Sequence, residues 1–169
     1  MENVRIAILS TYDQVCAFMD NSLPNALHYY SDEVHSYREG AANTFEFTAS
    51  ARHKDSKYLV EGNKLSFVYR NKDYYFNIVK VVRTEQTVEV TGYSLMFELL
   101  NDESGEYKAE RAMTFAEYME VFDPDDTVVL GINEVSDKSI SNEWTGTSTL
   151  LARIYSLANV FGAEVEFVP

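Results

Sequence analysis

The sequence predicts a mainly β protein: a barrel-like antiparallel sheet over residues 1–101, then the start of an α/β domain over residues 102–169. Three observations carry this. Residues 61–101 hold three successive runs in which polar and apolar side chains alternate, separated by turn residues. Such alternation marks the half-buried strands of a meander. Beyond residue 110 the apolar spacing changes from two to three and four, the period of a helix. The chain is also 46% hydrophobic and 14% aromatic, enough apolar surface to fill a core instead of remaining disordered.

The meander comes first in the argument. After Gly62-Asn63, Leu65, Phe67 and Tyr69 alternate with Ser66, Val68 and Arg70. Asn71-Lys72-Asp73 has the residues of a tight reversal. Residues 74–83 are aromatic and β-branched on both faces, which predicts partial cover on both. Glu85-Gln86 turns the chain again. Val88 and Val90 then face one way, and Thr87, Glu89 and Thr91 the other. Ser94 is placed to cap a short helix whose Leu95, Met96, Leu99 and Leu100 plug one end of the sheet. A twisted antiparallel sheet with a helix over its open end makes a small barrel or rolled sheet.

Upstream, residues 4–9 and 14–19 predict a hairpin around Thr11-Tyr12-Asp13, and Asn21-Ser22-Leu23-Pro24 breaks the pattern. Residues 27–37 fit a strand or a helical turn; Tyr29, Val34 and Tyr37 favour the strand. Residues 38–43 predict a loop. Residues 43–48 predict a strand with Phe45 and Phe47 on one face, followed by a polar stretch with room for a short turn.

Downstream, residues 101–110 are charged and loop-like, a candidate domain boundary. Thr114 followed by Glu117 is a capping-box pattern, with Met113 and Tyr118 placed as a hydrophobic staple. Phe115, Met119 and Phe122 form the apolar face of this helix, and Asp123-Pro124-Asp125-Asp126 stops it. Residues 127–135 predict a strand. A second helix follows Trp144-Thr145-Gly146-Thr147-Ser148, with Leu150, Ile154, Leu157, Ala158 and Phe161 on one stripe and Gly162 as its left-handed terminator. Residues 164–168 begin another strand, with Val165 and Phe167 on one face. That strand has no later sequence to pair with, so the chain is expected to be the N-terminal piece of a longer protein.

Reactive chemistry is sparse. His28, His35 and His53 are widely spaced, and no HExxH, CxxC, GxSxG, phosphate loop or GxGxxG occurs. Each histidine is expected on the surface or partly buried. Cys16, the one cysteine, sits in an apolar strand as a small hydrophobe and excludes an internal disulfide. Glu164 and Glu166 share a strand face, where solvation is the ordinary role. Gly146 offers an anion site or a plain cap at a helix start, and the cap is favoured. Tyr74-Tyr75-Phe76 suits stacking on sugars or bases, or core packing, which is favoured. No catalytic, cofactor or metal residue is assigned. The net charge of -13, without a basic cluster, disfavours a nucleic-acid-binding module.

Several stretches resemble a known family. They are the NxFEFT run of residues 43–48, LxxGN at 59–63, YxxxxYYFxIxKV at 69–81 and SLxFELLN at 94–101. Trp144-Thr145-Gly146-Thr147 with Leu150-Leu151, and GAEVEF at 162–167, continue the series. Together, and in this order, they resemble the N-terminal region of siphophage and prophage tail-tip proteins, also called phage minor structural, tail-associated lysin or prophage endopeptidase tail proteins. Little of the pattern is present between residues 103 and 143. The resemblance implies a phage baseplate hub fold: a β-barrel-like domain, then an α/β region before a second barrel. It implies a structural subunit of the tail tip, trimeric in the full-length protein, that closes the tail tube and joins it to host-contacting parts. The implied partners are the distal tail ring and tape-measure proteins. DNA is expected to pass without specific binding, and this chain is not expected to bind membranes. The implied place is the virion tail tip, after synthesis in the bacterial host cytoplasm. Two other functions stay open: the N-terminal part of a tail-associated peptidoglycan hydrolase, and a carbohydrate- or receptor-binding module using the tyrosine-rich strands. The chain itself is expected to have no enzyme activity. Its acidity suits the wall of a DNA conduit, which repels phosphate and leaves it mobile, and equally suits plain solubility.

Overall fold

The computed structural model describes residues 3–36 and 43–168. Tyr37 and the loop expected at 38–43 lie outside the described residues, apart from Asn43. The chain divides into two compact units, the first built on residues up to 95 and the second on residues 96–167.

The first unit is one antiparallel sheet. Its strands are β1 (Ile6–Leu9), β2 (Val15–Met19), β3 (Tyr29–His35), β4 (Thr44–Ser50), β5 (Lys64–Tyr69), β6 (Lys72–Arg83) and β7 (Thr87–Ser94). Their order is β2-β1-β5-β6-β7-β4-β3. The meander β5–β7 is therefore the middle of the sheet, and a hairpin docks on either side of it. Strand parity places Ile6, Ile8, Phe45, Phe47, Leu65, Phe67, Phe76, Ile78, Val88 and Val90 on one face, and all are buried in one core. Phe45 lies 5.1 Å from Phe67 and 5.5 Å from Phe76, so this core is aromatic at its centre.

Two features curl the sheet into a half-barrel. In β6 the register slips between Ile78 and Lys80, and a bulge sharpens local twist. The slip also returns Val81 to the core side, opposite Val90. Beside it, Gly92 leaves room for close approach: a Cβ there would sit 3.1 Å from the Phe76 Cβ and 3.3 Å from the Asn77 carbonyl. The β5–β6 reversal differs from the sequence expectation. It is a two-residue turn at Arg70-Asn71, with φ of 51° and 61°, and Lys72 already pairs with Tyr69. Two positive φ values match the right-handed twist of the flanking strands. The expectation of Asn71-Lys72-Asp73 placed the turn one residue late.

The barrel does not close. β2 and β3 are free edges that meet at one corner, where Met19 bridges Leu27 and the Asp20 amide donates to the Leu27 carbonyl at 3.1 Å. The Asn21 side chain holds both backbone groups of Tyr29, at 2.8 and 2.9 Å. The buried Tyr29 hydroxyl in turn accepts from the Val4 amide and donates to the Val4 carbonyl. Between β4 and β5, a 3-10 helix spans Lys54–Tyr58.

A 3-10 helix, Leu95–Leu100, follows β7. Ser94 stands immediately before it. The Ser94 hydroxyl accepts from the Asn43 amide at 3.1 Å, while its own amide donates to the Asn43 carbonyl at 2.9 Å.

The second unit holds β8 (Glu103–Ser104), β9 (Tyr107–Lys108), α1 (Phe115–Phe122), β10 (Glu143–Trp144), β11 (Ser148–Thr149) and α2 (Leu150–Phe161). β9 pairs with β10, and β8 with β11. Residues 101–110 are thus only in part the loop the charge pattern suggested. Two of their dipeptides are held by partners some forty residues away, and Ser104 is buried. Both helices begin and end as expected. Thr114 and Glu117 form the reciprocal capping box, Asp123 ends α1, and Gly162 terminates α2 at φ 64°. Met113 and Tyr118, the staple residues, are both buried. The helices meet through Phe115 and Phe161, 5.6 Å apart.

Two expected strands do not form. Residues 127–135 are irregular because the Asp123 carboxylate takes the Thr127 and Val128 amides at 3.0 and 2.7 Å. Residues 164–168 keep their alternation, with Val165 and Phe167 half-buried and both glutamates exposed, but no described strand pairs with them.

Candidate interaction surfaces

The histidines and the cysteine each make local contacts. The His53 Nδ1 accepts from the Asp55 amide at 3.2 Å and so caps the first 3-10 helix; its Nε2 then faces the Asn25 carbonyl at 3.2 Å. His28 Nε2 lies 2.8 Å from the Leu23 carbonyl, and His35 lies 3.7 Å from Glu33. The Cys16 thiol, half-buried in β2, points to the Gln14 carbonyl at 3.5 Å. Among the described residues no group of three His, Cys, Asp or Glu side chains is placed to hold a metal ion.

The structure also places the two stretches with a ligand-binding option. Gly146 is three residues before Thr149, the residue that caps α2, and its carbonyl accepts from Arg153 at 3.1 Å. It belongs to a backbone clamp around the Arg153 guanidinium. In the Tyr74-Tyr75-Phe76 run, Phe76 is core and Tyr74 stacks on Phe67 with ring centres 5.1 Å apart. Tyr75 points to the other face, where its hydroxyl meets Asp13.

Two polar clusters escaped the sequence reading. On the first unit, Asp13 at the tip of the β1–β2 hairpin accepts from Lys64 at 2.7 Å and from the Tyr75 hydroxyl. The Lys64 ammonium, then the Tyr75 hydroxyl, hold the Asp13 carboxyl below its usual range; the Asp13 carboxylate raises Lys64 in return. Burial, then the Asp13 contact, pushes the Tyr75 hydroxyl up. The residues lie far apart in sequence, and the only local hint is Asp13 itself, in a left-handed turn position that aspartate tolerates. On the second unit, Arg153 is 3% exposed. Its Nη2 donates to the carbonyls of Ser104, Gly105 and Gly146 at 3.2, 2.8 and 3.1 Å. Its guanidinium lies over Phe122 and Trp144. The signal was there: Arg153 falls three residues after Leu150 and four before Leu157, on the apolar stripe.

These clusters are structural clasps. What remains open to a partner is backbone and apolar surface. A groove of about 450 Å³ beside Tyr107, Lys108, Glu110, Arg111 and Met113 is shallow and lined mainly by residues already paired. β2 is a free edge exposing Val15 and Phe18, 58% and 42% accessible. On the second unit, Val129 and Ile132 are 86% and 95% exposed. These are the exposed apolar side chains that a partner could cover.

Known structures supply the context. No family model and no curated protein matches the sequence. Prophage tail protein gp18 from Listeria monocytogenes matches with a TM-score of 0.63 at 12% identity, over 98% of this chain and 48% of that one. A tail protein from Neisseria meningitidis matches with a TM-score of 0.59 at 14% identity, over 99% of this chain and 48% of that one. The fold is shared with tail proteins. In both matches the half-barrel and the helical unit are included, because nearly the whole chain is aligned. The chain spans about half the length of either structure.

Proposed function

We propose that this chain is a structural part of a phage tail and, within the tail, a subunit of the tip hub that closes the tube. The observation that carries the reading is the fold match to two tail proteins over 98% and 99% of the chain. The tail-tip motifs of the sequence sharpen it from tail to tip, and an assembly role suits a molecule whose open features are a sheet edge and exposed apolar chain. On this reading the full-length protein is a trimeric ring against the distal tail ring, and DNA passes through it. Part of the acidic surplus is already gathered: Glu33 on β3 stands opposite Glu46 on β4, and Glu89 on the adjacent β7 opposes Thr48. These side chains share the sheet face turned away from the core. Like charges directly opposed across strands are unfavourable, and a wall that must not hold phosphate gives them a use.

The test is immunogold labelling of virions with antibody to this chain, followed by imaging of the assembled tip. Label at the distal end of the tail is expected. Label along the tube or on the capsid overturns the tip assignment, and label on no virion structure overturns the tail reading. A ring lumen lined by Lys and Arg overturns the conduit.

A further inference from the structure

The half-barrel has two free edges of different chemistry. β3 is guarded: its register slips between Tyr30 and Glu33, Ser31 has φ of 53°, and Asp32 and Glu33 sit on it. Bulges and charges are the usual means of refusing a further strand. β2 carries no charge along Val15–Met19, and its one irregularity is the extra residue Cys16 against β1. Among the described residues no strand lies on the side of β2 away from β1; Met19 bridges Leu27, and the 3-10 helix Lys54–Tyr58 also contacts β2. Residues 15–18 form an edge whose outward backbone groups, carried by alternate residues, face no strand among the described residues; Val15 is exposed, and Phe18 is partly exposed beneath the Arg5 guanidinium.

The same chain holds an element of matching length and opposite need. Residues 129–132, Val-Leu-Gly-Ile, have the composition of a strand, yet none of their backbone groups meets another among the described residues. They leave the Asp123 cap at Val128 and run exposed, with Val129 and Ile132 almost entirely in solvent. Unpaired N–H and C=O groups cost little in water, but the apolar side chains gain from cover, and an added strand supplies both at once.

We propose that residues 129–132 of one copy add as a strand to the β2 edge of a second copy. The occupant is a second copy because the unmet edge and the unmet strand occur on one chain, equally short and equally apolar. Donor and acceptor are different surfaces, so the contact is head-to-tail. A contact of that kind repeats from subunit to subunit and closes into a ring when the rotation allows. The proposal deepens the hub reading and rests on it for the closed ring alone; the strand contact stands on the edge and the segment.

Cys16 is the one cysteine of the chain and lies in the acceptor strand, so Ile132→Cys alone completes an intermolecular pair. Under mild oxidation the full-length protein carrying Ile132→Cys is expected to yield disulfide-linked chains, with position 16 joined to position 132 in the peptide mass spectrum. Adding Cys16→Ser is expected to abolish that link. Ile132→Asp is expected to leave the unfolding midpoint unchanged, because the side chain is 95% exposed, and to abolish self-association in light scattering. Links found only between two 132 positions, or self-association unmoved by Ile132→Asp, overturn the strand contact and leave the hub reading standing. A full-length protein that stays monomeric and shows no ring in electron micrographs overturns the ring itself.

Discussion

A buried guanidinium with no carboxylate partner among the described residues must find backbone oxygen, and Arg153 finds three carbonyls from two separate segments. Burial pushes its pKa down, yet arginine stays charged in proteins. Its planar fork and stacking faces fit a site walled by Phe122 and Trp144, and lysine has neither. Arg153→Lys is therefore expected to cost about 2–4 kcal/mol, the cost of leaving buried polar groups unpaired; the midpoint of denaturant unfolding reads it. Glu117 makes a second residue-scale prediction. The Arg111 guanidinium, then the Thr114 amide and hydroxyl, hold its carboxyl down at about 2, against an ordinary value of 4.5. The folded-state pKa is the depressed one, so the stabilisation is present above pH 4.5 and is lost as the pH falls toward 2. In Glu117→Gln the fall in melting temperature across that window is expected to be shallower than in the parent.

Among the elements, those readable from sequence were the ones whose cause lies within a few residues. The capping box needs only Thr114 and Glu117, the end of α2 only Gly162, and the alternation of β5 and β7 only their own side chains. Leu157, placed on the core stripe by spacing, is fully buried. Leu157→Ala is expected to cost about 2–5 kcal/mol, as deletions from a packed core do, measured by chemical denaturation. The misread elements have distant causes. β8 and β9 exist because β10 and β11 return to pair with them, and a charged ten-residue window shows nothing of that. Residues 127–135 have strand composition, but a strand is a relation between two segments, and here Asp123 took the first amides. The candidate surfaces were not legible: which edge is guarded depends on the slip in β3, which only the paired structure reveals.

For the whole molecule, the stretch most open to attack is not the one that composition indicated. Residues 101–110 carry two paired dipeptides, whereas residues 129–132 are exposed and make no backbone bonds among the described residues. Proteases cut where backbone can be drawn into an extended, unbonded form. Thermolysin, which cleaves beside large apolar residues, is expected to cut first within residues 128–133, as located by mass spectrometry of the earliest fragments. A first cut at 101–110 would show the short ribbons opening more readily than the exposed segment.

The strand order also sets a timetable. β1 pairs with β5 and β4 with β7, so both hairpins wait for partners made later in synthesis. A growing chain emerges from its N-terminal end. The first fifty residues therefore leave the ribosome as two apolar hairpins with no sheet to join. Only when the three-strand meander has emerged, at about the ninety-fourth residue where β7 ends, do both flanks gain a template. Until then β1 and β4 each lack one partner strand, and a nascent chain stalled before β7 is expected to be held by chaperones more than one stalled after it.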